Sequence, residues 1–225
     1  MKAICLVSGG KDSVFSLWLA LHQFNVVSIL TVKSCPESYL FHIPNCDHVV
    51  LIAEMLGLPH YLIQIENCNI EEEINALKEI FIESDADAVI TGGIQSEFQR
   101  FKFNRAAQLA NMICLNPLWR LSPEALMSEL INNKFHIIIV SVTAMGLGKE
   151  LLGKKIDKNL LEEFQGTGTH QGLSIIGEGG EYESFVLDAP FFPFRIEIQE
   201  SKTYWDELRE EGYYEIIKAK LCSKK

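Results

Sequence analysis

Residues 8–13 read Ser-Gly-Gly-Lys-Asp-Ser, directly after the apolar stretch 2–7 (KAICLV) and directly before a segment with helical spacing. Two adjacent glycines let the backbone turn sharply and bring its N–H groups close to a ligand. The start of a helix adds N–H donors and a partial positive charge, and Lys11 adds a full one. A strand, a glycine-rich turn and a helix in this order predict a phosphate-binding loop on an α/β fold.

Each residue of this loop has a predicted role. The backbone N–H groups of Gly9 and Gly10 and the hydroxyls of Ser8 and Ser13 would donate to phosphate oxygens. Asp12 repels anions, so we expect it to hold Mg²⁺ or to orient the loop. The spacing matches neither GxxxxGK[ST] nor GxGxxG, so neither a Walker-type ATPase nor a dinucleotide-binding Rossmann site is indicated.

Strands and helices alternate along the first half of the chain. Strands are predicted at 26–31, 61–65 and 87–91, and helices at 14–23, 49–56, 70–83 and 97–112. We expect Asn69 to cap the third of these helices. The alternation is typical of a Rossmann-like parallel sheet with helices on both faces, here mostly parallel and five-stranded.

The pattern changes after Pro117. A helix is predicted to begin at Ser122-Pro123, followed by strands at 135–142, 184–188, 194–199 and 214–221. We therefore predict a nucleotide-binding domain at 1–125 and a smaller α+β substrate-binding domain at 126–225, with the site in the cleft between them.

Composition narrows the class of protein. The 225 residues are 48% hydrophobic and 22% charged, and the net charge is −10, divided evenly between residues 1–120 and 121–225. Neither domain is basic, so direct nucleic-acid binding is not expected. There is no apolar run long enough to span a membrane and no signal peptide. Six scattered cysteines without a CxxC pair indicate reduced thiols, and we expect a cytoplasmic protein.

Two further segments carry candidate site residues. Residues 92–100 (GGIQSEFQR) follow a predicted strand, so they share the ligand-binding edge of the sheet with residues 8–13. Gly92, Glu97 and Arg100 are candidates to contact nucleotide or substrate. The alternative is that Glu97 and Arg100 cap and charge the following helix.

The second segment, residues 177–183 (GEGGEYE), places three carboxylates and a phenol among glycines, which favours a loop. Such a loop repels ATP unless it faces a cation. The alternative is a solvated acidic turn between strands.

The loop at 8–13 resembles the PP-loop of the N-type ATP pyrophosphatases, which cut ATP between the α and β phosphates. Segments 37–45, 92–100, 116–119, 146–150 and 177–190 are similar to the diphthine–ammonia ligase (diphthamide synthase) branch of these enzymes. They occur in the family's order and cover nearly the whole chain, as in the short archaeal-type members. One departure is Gly93, where the family usually has an acidic residue.

The resemblance implies a ligase that converts diphthine on translation elongation factor 2 to diphthamide, with ATP and Mg²⁺. It implies an acyl-adenylate intermediate, with AMP and pyrophosphate as products, and free ammonium as nitrogen donor because no glutaminase domain is evident. The predicted catalytic residues are Lys11, Asp12, Glu97 and Arg100. The Mg²⁺ ion would be held mainly by the ATP phosphates, with Asp12 as a candidate ligand.

The resemblance also assigns residues to the nucleotide and to the substrate. His42, within segment 37–45, would line the nucleotide cleft. Diphthine carries a trimethylammonium, which suits a site of carboxylates and an aromatic ring. Glu178, Glu181, Tyr182 and Glu183 are therefore predicted to hold that cation or to orient ammonia.

Three alternatives stay open at this point. The chain could adenylate another substrate, such as a tRNA base or a small carboxylate, or it could be a non-catalytic ATP- or AMP-binding module. A zinc site formed by Cys35, His42, Cys46 and His48 is disfavoured, because the spacing fits no common finger. The oligomeric state is open, and a homodimer is compatible with the sequence.

Overall fold

A computed structural model describes residues 1–33, 45–65, 69–144, 146–166, 174–177 and 179–224. The chain divides into two compact units. The first comprises Met1–Ser8 and Asp12–Arg120, and the second comprises Gly9–Lys11 and Leu121–Lys225. The predicted boundary after residue 125 falls inside a helix of the second unit, Pro123–Asn132.

The first unit contains a five-stranded parallel sheet with the strand order β3-β2-β1-β4-β5. The strands are β1 (Lys2–Leu6), β2 (Asn25–Lys33), β3 (His60–Gln64), β4 (Ala88–Ile90) and β5 (Ile113–Leu115). The helices are α1 (Lys11–Gln23, whose first residue counts with the second unit), α2 (Val49–Leu56), α3 (Ile70–Glu83) and α4 (Glu97–Leu109), and Cys46–His48 forms a 3-10 turn. This order confirms the predicted Rossmann-like α/β fold.

The strand order creates a switch point between β1 and β4. From β1 the chain builds outward through β2 and β3, and it then returns to β4 on the other side of β1. Beyond the carboxyl ends of two such strands the following loops diverge and leave a crevice, which is where open α/β sheets bind ligands. Residues 8–13 follow β1, and residues 91–96 follow β4.

Helices α3 and α4 pack on one face of this sheet. The core they form with β1 contains Ile4, Leu77, Phe81 and Ala106, none of them more than 1% exposed. Between the helices, Lys102 Nζ donates to Glu73 Oε1 at 2.7 Å, with the two side chains 9% and 18% exposed. This ion pair fixes the two helices against each other at the rim of the core.

Helix ends in the first unit match the predicted ends, with two exceptions. Helix α1 begins at Lys11, three residues before the predicted start at residue 14. Asn69 caps α3 as predicted, because its side chain accepts from the Glu71 N–H at 2.9 Å. Helix α4 ends before the predicted residue 112, since Asn111 adopts a left-handed conformation (φ 57°) and the chain enters β5. Strand β5 was missing from the predicted set because its three residues are only partly buried and directly follow the helix that was predicted to end at residue 112.

The second unit contains a four-stranded antiparallel sheet with the order β7-β6-β9-β8. The strands are β6 (His136–Val142), β7 (Tyr182–Asp188), β8 (Phe194–Asp206) and β9 (Glu211–Ser223). The helices are α5 (Pro123–Asn132) and α6 (Lys158–Gly166), and Lys149–Leu151 forms a 3-10 turn. Ser122 caps α5 as predicted, by accepting from the Ala125 N–H.

The structure differs from the predictions for this unit in two ways. Strands β8 and β9 extend far beyond 194–199 and 214–221 and form one long hairpin, because backbone pairing continues through charged residues that face water. Helix α6 lies in the glycine-rich region 146–181, for which no helix was predicted. Among the described residues, no helix combines the length and apolar character that crossing a bilayer requires.

Candidate functional site

Residues 8–10 of the predicted phosphate loop form the turn between β1 and α1, and residues 11–13 lie in the first turn of α1. Gly9 has a left-handed backbone (φ 87°), which favours glycine, and α1 begins at Lys11. The Ser8 N–H donates to Ser13 Oγ at 3.1 Å, and the two serine hydroxyls are also 3.1 Å apart. Asp12 lies in the first turn of α1. The turn thus brings both hydroxyls to the amino end of a helix, where anions bind.

Gly92 lies against the backbone of this turn. A Cβ atom at residue 92 would lie 2.7 Å from Ser13 N and 2.9 Å from the carbonyl carbon of Asp12, so only glycine fits. Its neighbour Gly93 has room, since a Cβ there would meet Asn116 Oδ1 and Thr91 Oγ1 at 3.9 Å. The loop after β4 therefore lies too close to the backbone at the start of α1 for a side chain at residue 92.

Lys11 is buried and is held by two groups of the second unit. The residue is 3% exposed, and its Nζ donates to the Ile176 carbonyl at 2.5 Å. The same nitrogen lies 5.5 Å from the centroid of the Tyr182 ring, within the range of a cation–π contact. The predicted phosphate-binding charge is thus placed next to the acidic segment 177–183.

The backbone around Lys11 is fastened to β7. Its N–H donates to Ser184 Oγ at 3.2 Å, and the Gly9 carbonyl accepts from the Val186 N–H at 2.9 Å. These bonds explain why Gly9–Lys11 count with the second unit although they follow β1 in the chain. The phosphate loop and the strand that begins with the acidic segment are therefore physically joined.

The acidic segment is more ordered than the predicted loop. Tyr182 and Glu183 belong to β7, which corrects the prediction that both lie in a loop. The Glu181 carboxylate accepts from the Ser174 N–H and the Gly179 N–H, each at 2.9 Å, and so closes the turn before β7. Gly177 has a left-handed backbone (φ 71°) that suits this turn. Glu178 lies outside the described residues.

Tyr182 is placed differently from the sequence hypothesis. It is 2% exposed, and its hydroxyl donates to the Ile175 carbonyl at 2.7 Å. Phe164 packs beside it, with the ring centroids 6.0 Å apart. The cation that lies over the ring is the chain's own Lys11 ammonium.

Glu97 and Arg100 lie together at the start of α4. Arg100 stacks on the Trp119 ring, with its guanidinium carbon 4.5 Å from the ring centroid. Glu97 lies 3.6 Å from Arg100 and 3.8 Å from Arg120, and all three charged side chains are partly or largely exposed. Ser96 caps the helix by accepting from the Gln99 N–H. The structure adds Trp119 to this group, and its sequence signal was its position in segment 116–119.

Thr31 and His60 hold the backbone at Val7, the residue before the phosphate loop, and were missed by sequence reasoning. Thr31 Oγ1 donates its one proton to the Val7 carbonyl at 2.8 Å, so His60 Nε2, at 2.9 Å, must donate to Thr31. Burial lowers the pKa of His60, which favours this neutral form. Both residues lie far from residues 8–13 in sequence, and no local pattern indicates the contact.

Covalent catalysis by Cys5 or Cys114 of the first unit is unfavourable. Burial raises the pKa of Cys5 to about 12 and that of Cys114 to about 11, so neither forms a thiolate near neutral pH. His42 and Cys35 lie outside the described residues. Within the part of the chain that the structure describes, no three His, Cys, Asp or Glu side chains cluster in a way that could hold a metal ion.

Known protein families and relatives match nearly the whole chain in sequence. The family model for the diphthamide synthase N-terminal domain matches residues 1–113, and that for the diphthamide synthase C-terminal domain matches residues 122–222. A diphthine–ammonia ligase of Danio rerio is 31% identical, over 90% of this chain and 88% of that protein. The diphthine–ammonia ligase of Homo sapiens is 28% identical, over 90% and 84%.

A longer relative shows the same likeness. The diphthine–ammonia ligase of Schizosaccharomyces pombe is 29% identical over 100% of this chain and 40% of that protein. The N-terminal family model includes the phosphate loop, and the C-terminal family model includes the acidic segment. The chain belongs to the diphthamide synthase family.

Proposed function

We propose that this chain is an ATP-dependent ligase that amidates diphthine on translation elongation factor 2 to give diphthamide. Ammonium is the nitrogen donor, and AMP and pyrophosphate are the products. The observation that carries the proposal is the position of Lys11, which belongs to the phosphate loop and contacts both Ile176 and Tyr182, the latter in the acidic segment. Membership of the diphthamide synthase family supports the same reaction.

The chemistry explains why a ligase needs such a loop. A carboxylate is a poor acyl donor because its leaving group would be oxide. Attack of the carboxylate oxygen on the α-phosphorus of ATP breaks the bond to the β-phosphate and releases pyrophosphate. Ammonia then attacks the acyl carbon of the acyl-adenylate, AMP leaves with the bonding electrons, and the surplus proton passes to solvent. The protein must therefore stabilise charge on the departing pyrophosphate.

The residues of the loop fit that task. Lys11, the N–H groups of Gly9 and Gly10 and the hydroxyls of Ser8 and Ser13 would bind the β and γ phosphates at the start of α1. The close approach of Gly92 leaves no side chain between the two loops.

The Mg²⁺ ion and the remaining nucleotide contacts are part of the same proposal. Asp12, in the first turn of α1, is the proposed protein ligand for Mg²⁺, which would offset the negative charge of the phosphates when bound. We assign Glu97 and Arg100 to contacts with nucleotide or substrate, and His42 to the nucleotide. The Arg100 guanidinium, stacked on Trp119, is already oriented for a flat anionic partner such as a carboxylate or phosphate.

We assign the substrate cation to the carboxylates of the acidic segment, Glu178, Glu181 and Glu183. A trimethylammonium has no N–H to donate, so charge and apolar contact must hold it. We do not extend this role to Tyr182, since its hydroxyl bonds Ile175 and its ring lies against Lys11. Since a substrate that works in translation is found in the cytoplasm, we propose the same location for this enzyme.

Product analysis tests the proposal. Purified protein is incubated with Mg·ATP and ammonium, with and without elongation factor 2 that carries diphthine. We expect AMP and pyrophosphate only when the factor and ammonium are both present, and a gain of one amide on the modified histidine by mass spectrometry. ADP as the product would refute the PP-loop chemistry. AMP formed without the factor would point to another substrate of the same enzyme class.

A single substitution tests the role of the carboxylates. Glu181→Gln removes a charge but keeps the size of the side chain, and we expect weaker binding of the diphthine-bearing factor. Unchanged affinity and rate would remove Glu181 from the substrate site. The matched control is Glu200→Gln, which changes an exposed carboxylate on β8.

A further inference from the structure

The Lys11 ammonium is oriented by a short chain of contacts that begins at Tyr182. The Tyr182 hydroxyl donates to the Ile175 carbonyl at 2.7 Å, which fixes that peptide group. The next carbonyl along the chain, that of Ile176, accepts from Lys11 Nζ at 2.5 Å. The Tyr182 ring also faces the same nitrogen at 5.5 Å. One side chain thus holds the lysine directly through its ring and indirectly through two consecutive carbonyls.

The surroundings make this arrangement stiff. Lys11 and Tyr182 are 3% and 2% exposed, so neither exchanges these contacts for water at low cost. Behind them, the Glu181 carboxylate ties the turn that contains Ile176 by accepting from the N–H groups of Ser174 and Gly179. A long lysine side chain loses much rotamer freedom when it is held in this way before a ligand arrives.

We propose that Tyr182 is a positioning residue for the phosphate-loop lysine. Its hydroxyl holds Ile175, Ile176 therefore presents its carbonyl to Lys11, and the ammonium is held in one orientation before the nucleotide binds. An oriented charge binds phosphate more tightly than a mobile one because the ordering cost is already met. The proposal rests on the ATP chemistry proposed above and adds a residue that does not itself touch the nucleotide.

A double-mutant cycle tests the coupling between the two residues. Mg·ATP affinity is measured by calorimetry for the unmodified chain, Tyr182→Phe, Lys11→Met and the double variant. Tyr182→Phe deletes one oxygen and keeps the ring. We expect it to weaken ATP binding about tenfold in the unmodified chain and to have no effect in the Lys11→Met background. A purely structural role would weaken binding equally in both backgrounds, and that result, or no effect in either, would overturn the proposal.

The control is another tyrosine hydroxyl of the second unit. Tyr214 lies on β9, and its hydroxyl bonds Ser201 Oγ at 2.8 Å. Tyr214→Phe makes the same chemical change away from Lys11, and we expect ATP affinity within twofold of the unmodified chain. Circular dichroism melting of all variants verifies that each one is folded.

A second measurement needs no nucleotide. Acetic anhydride acylates exposed lysines, and mass spectrometry follows the rate at Lys11 against that at Lys158, whose side chain is 81% exposed. We expect Lys11 to react at least about tenfold more slowly than Lys158 in the unmodified chain, and Tyr182→Phe to raise the Lys11 rate several-fold. An unchanged Lys11 rate would overturn the positioning role. If the unmodified chain does not bind ATP, the proposed ATP chemistry fails, while the labelling still decides whether Tyr182 positions Lys11.

Discussion

Replacing Gly92 by alanine should damage the phosphate loop far more than replacing its neighbour Gly93. The added Cβ at residue 92 would lie 2.7 Å from Ser13 N and 2.8 Å from Ser13 Cα, whereas ordinary contact begins near 3.4 Å. Both atoms are backbone at the start of α1, so no side chain can rotate away. The two segments must separate by about 0.7 Å to reach ordinary contact.

That displacement has two measurable consequences. Overpacking of this kind costs about 1–3 kcal/mol of unfolding free energy. It also moves Ser13 and the N–H groups at the start of α1, and a misplacement of about 1 Å in a catalytic site lowers rates by about 100-fold. We therefore expect Gly92→Ala to lower pyrophosphate release by about 10–100-fold, beyond what its loss of stability explains.

Gly93→Ala is the matched control. It makes the same change one residue further along, where the nearest atoms lie 3.9 Å from the new Cβ. We expect its free energy of unfolding to change by less than about 0.5 kcal/mol. We expect its rate of pyrophosphate release to stay within about twofold of that of the unmodified chain. The assays are urea unfolding, Mg·ATP calorimetry and phosphate detection after pyrophosphatase. Equal effects of the two substitutions, or full activity of Gly92→Ala, would refute the steric argument.

Other expected outcomes concern stability. Lys102→Met should cost about 2–4 kcal/mol of unfolding free energy, because Glu73 keeps a largely buried charge without its partner. Adding Glu73→Gln should restore part of that loss. Urea unfolding that shows no such rescue would contradict the pairing. Asn69→Ala should lower the free energy of unfolding by about 1 kcal/mol, because it removes the cap of α3. Asn75→Ala, inside the same helix, should leave that free energy nearly unchanged. Equal unfolding midpoints for the two variants would contradict the role of the cap. Burial lowers the pKa values of His60 and His136 in the folded chain. Below about pH 6.5 the unfolded chain therefore binds more protons at these two residues than the folded chain does, and the free energy of unfolding should fall as the pH drops. Unfolding free energies between pH 5 and 8 should show this slope, and replacing both histidines by glutamine should flatten it.

Most of the fold of the first unit could be predicted from local sequence patterns. Apolar strands separated by amphipathic helices determine a parallel sheet, and the helix cap at Asn69 was visible as a single residue. The cap at Ser122, in the second unit, was visible in the same way. Strand β5 was missed because its three residues are only partly buried, whereas the equally short β4 is fully buried and was predicted. The long β8–β9 hairpin was underestimated because charged residues on an exposed ribbon look like a loop when only hydrophobicity is considered.

The candidate site shows where local patterns stop being informative. The turn at residues 8–13 follows from its glycines and from the helix after it. The partners of Lys11 do not, since Ile176 lies 165 residues away in sequence. The same holds for Tyr182, whose burial depends on the packing of the second unit. A residue type and its neighbours indicate which chemistry is available, and long-range contacts decide which group performs it.

The bonds from Gly9 and Lys11 to β7 have a consequence for how the chain can be divided. A fragment that ends at Arg120 contains the whole motif at residues 8–13 and all five strands of the parallel sheet. It lacks Ser184, Val186 and the Ile176 carbonyl, so Gly9 and Lys11 lose their hydrogen bonds to these groups. Such a fragment would carry the signature of a nucleotide-binding protein without a finished binding loop. Gene splitting, domain grafting or fusion at this boundary should therefore preserve the sequence motif and lose the function it signals.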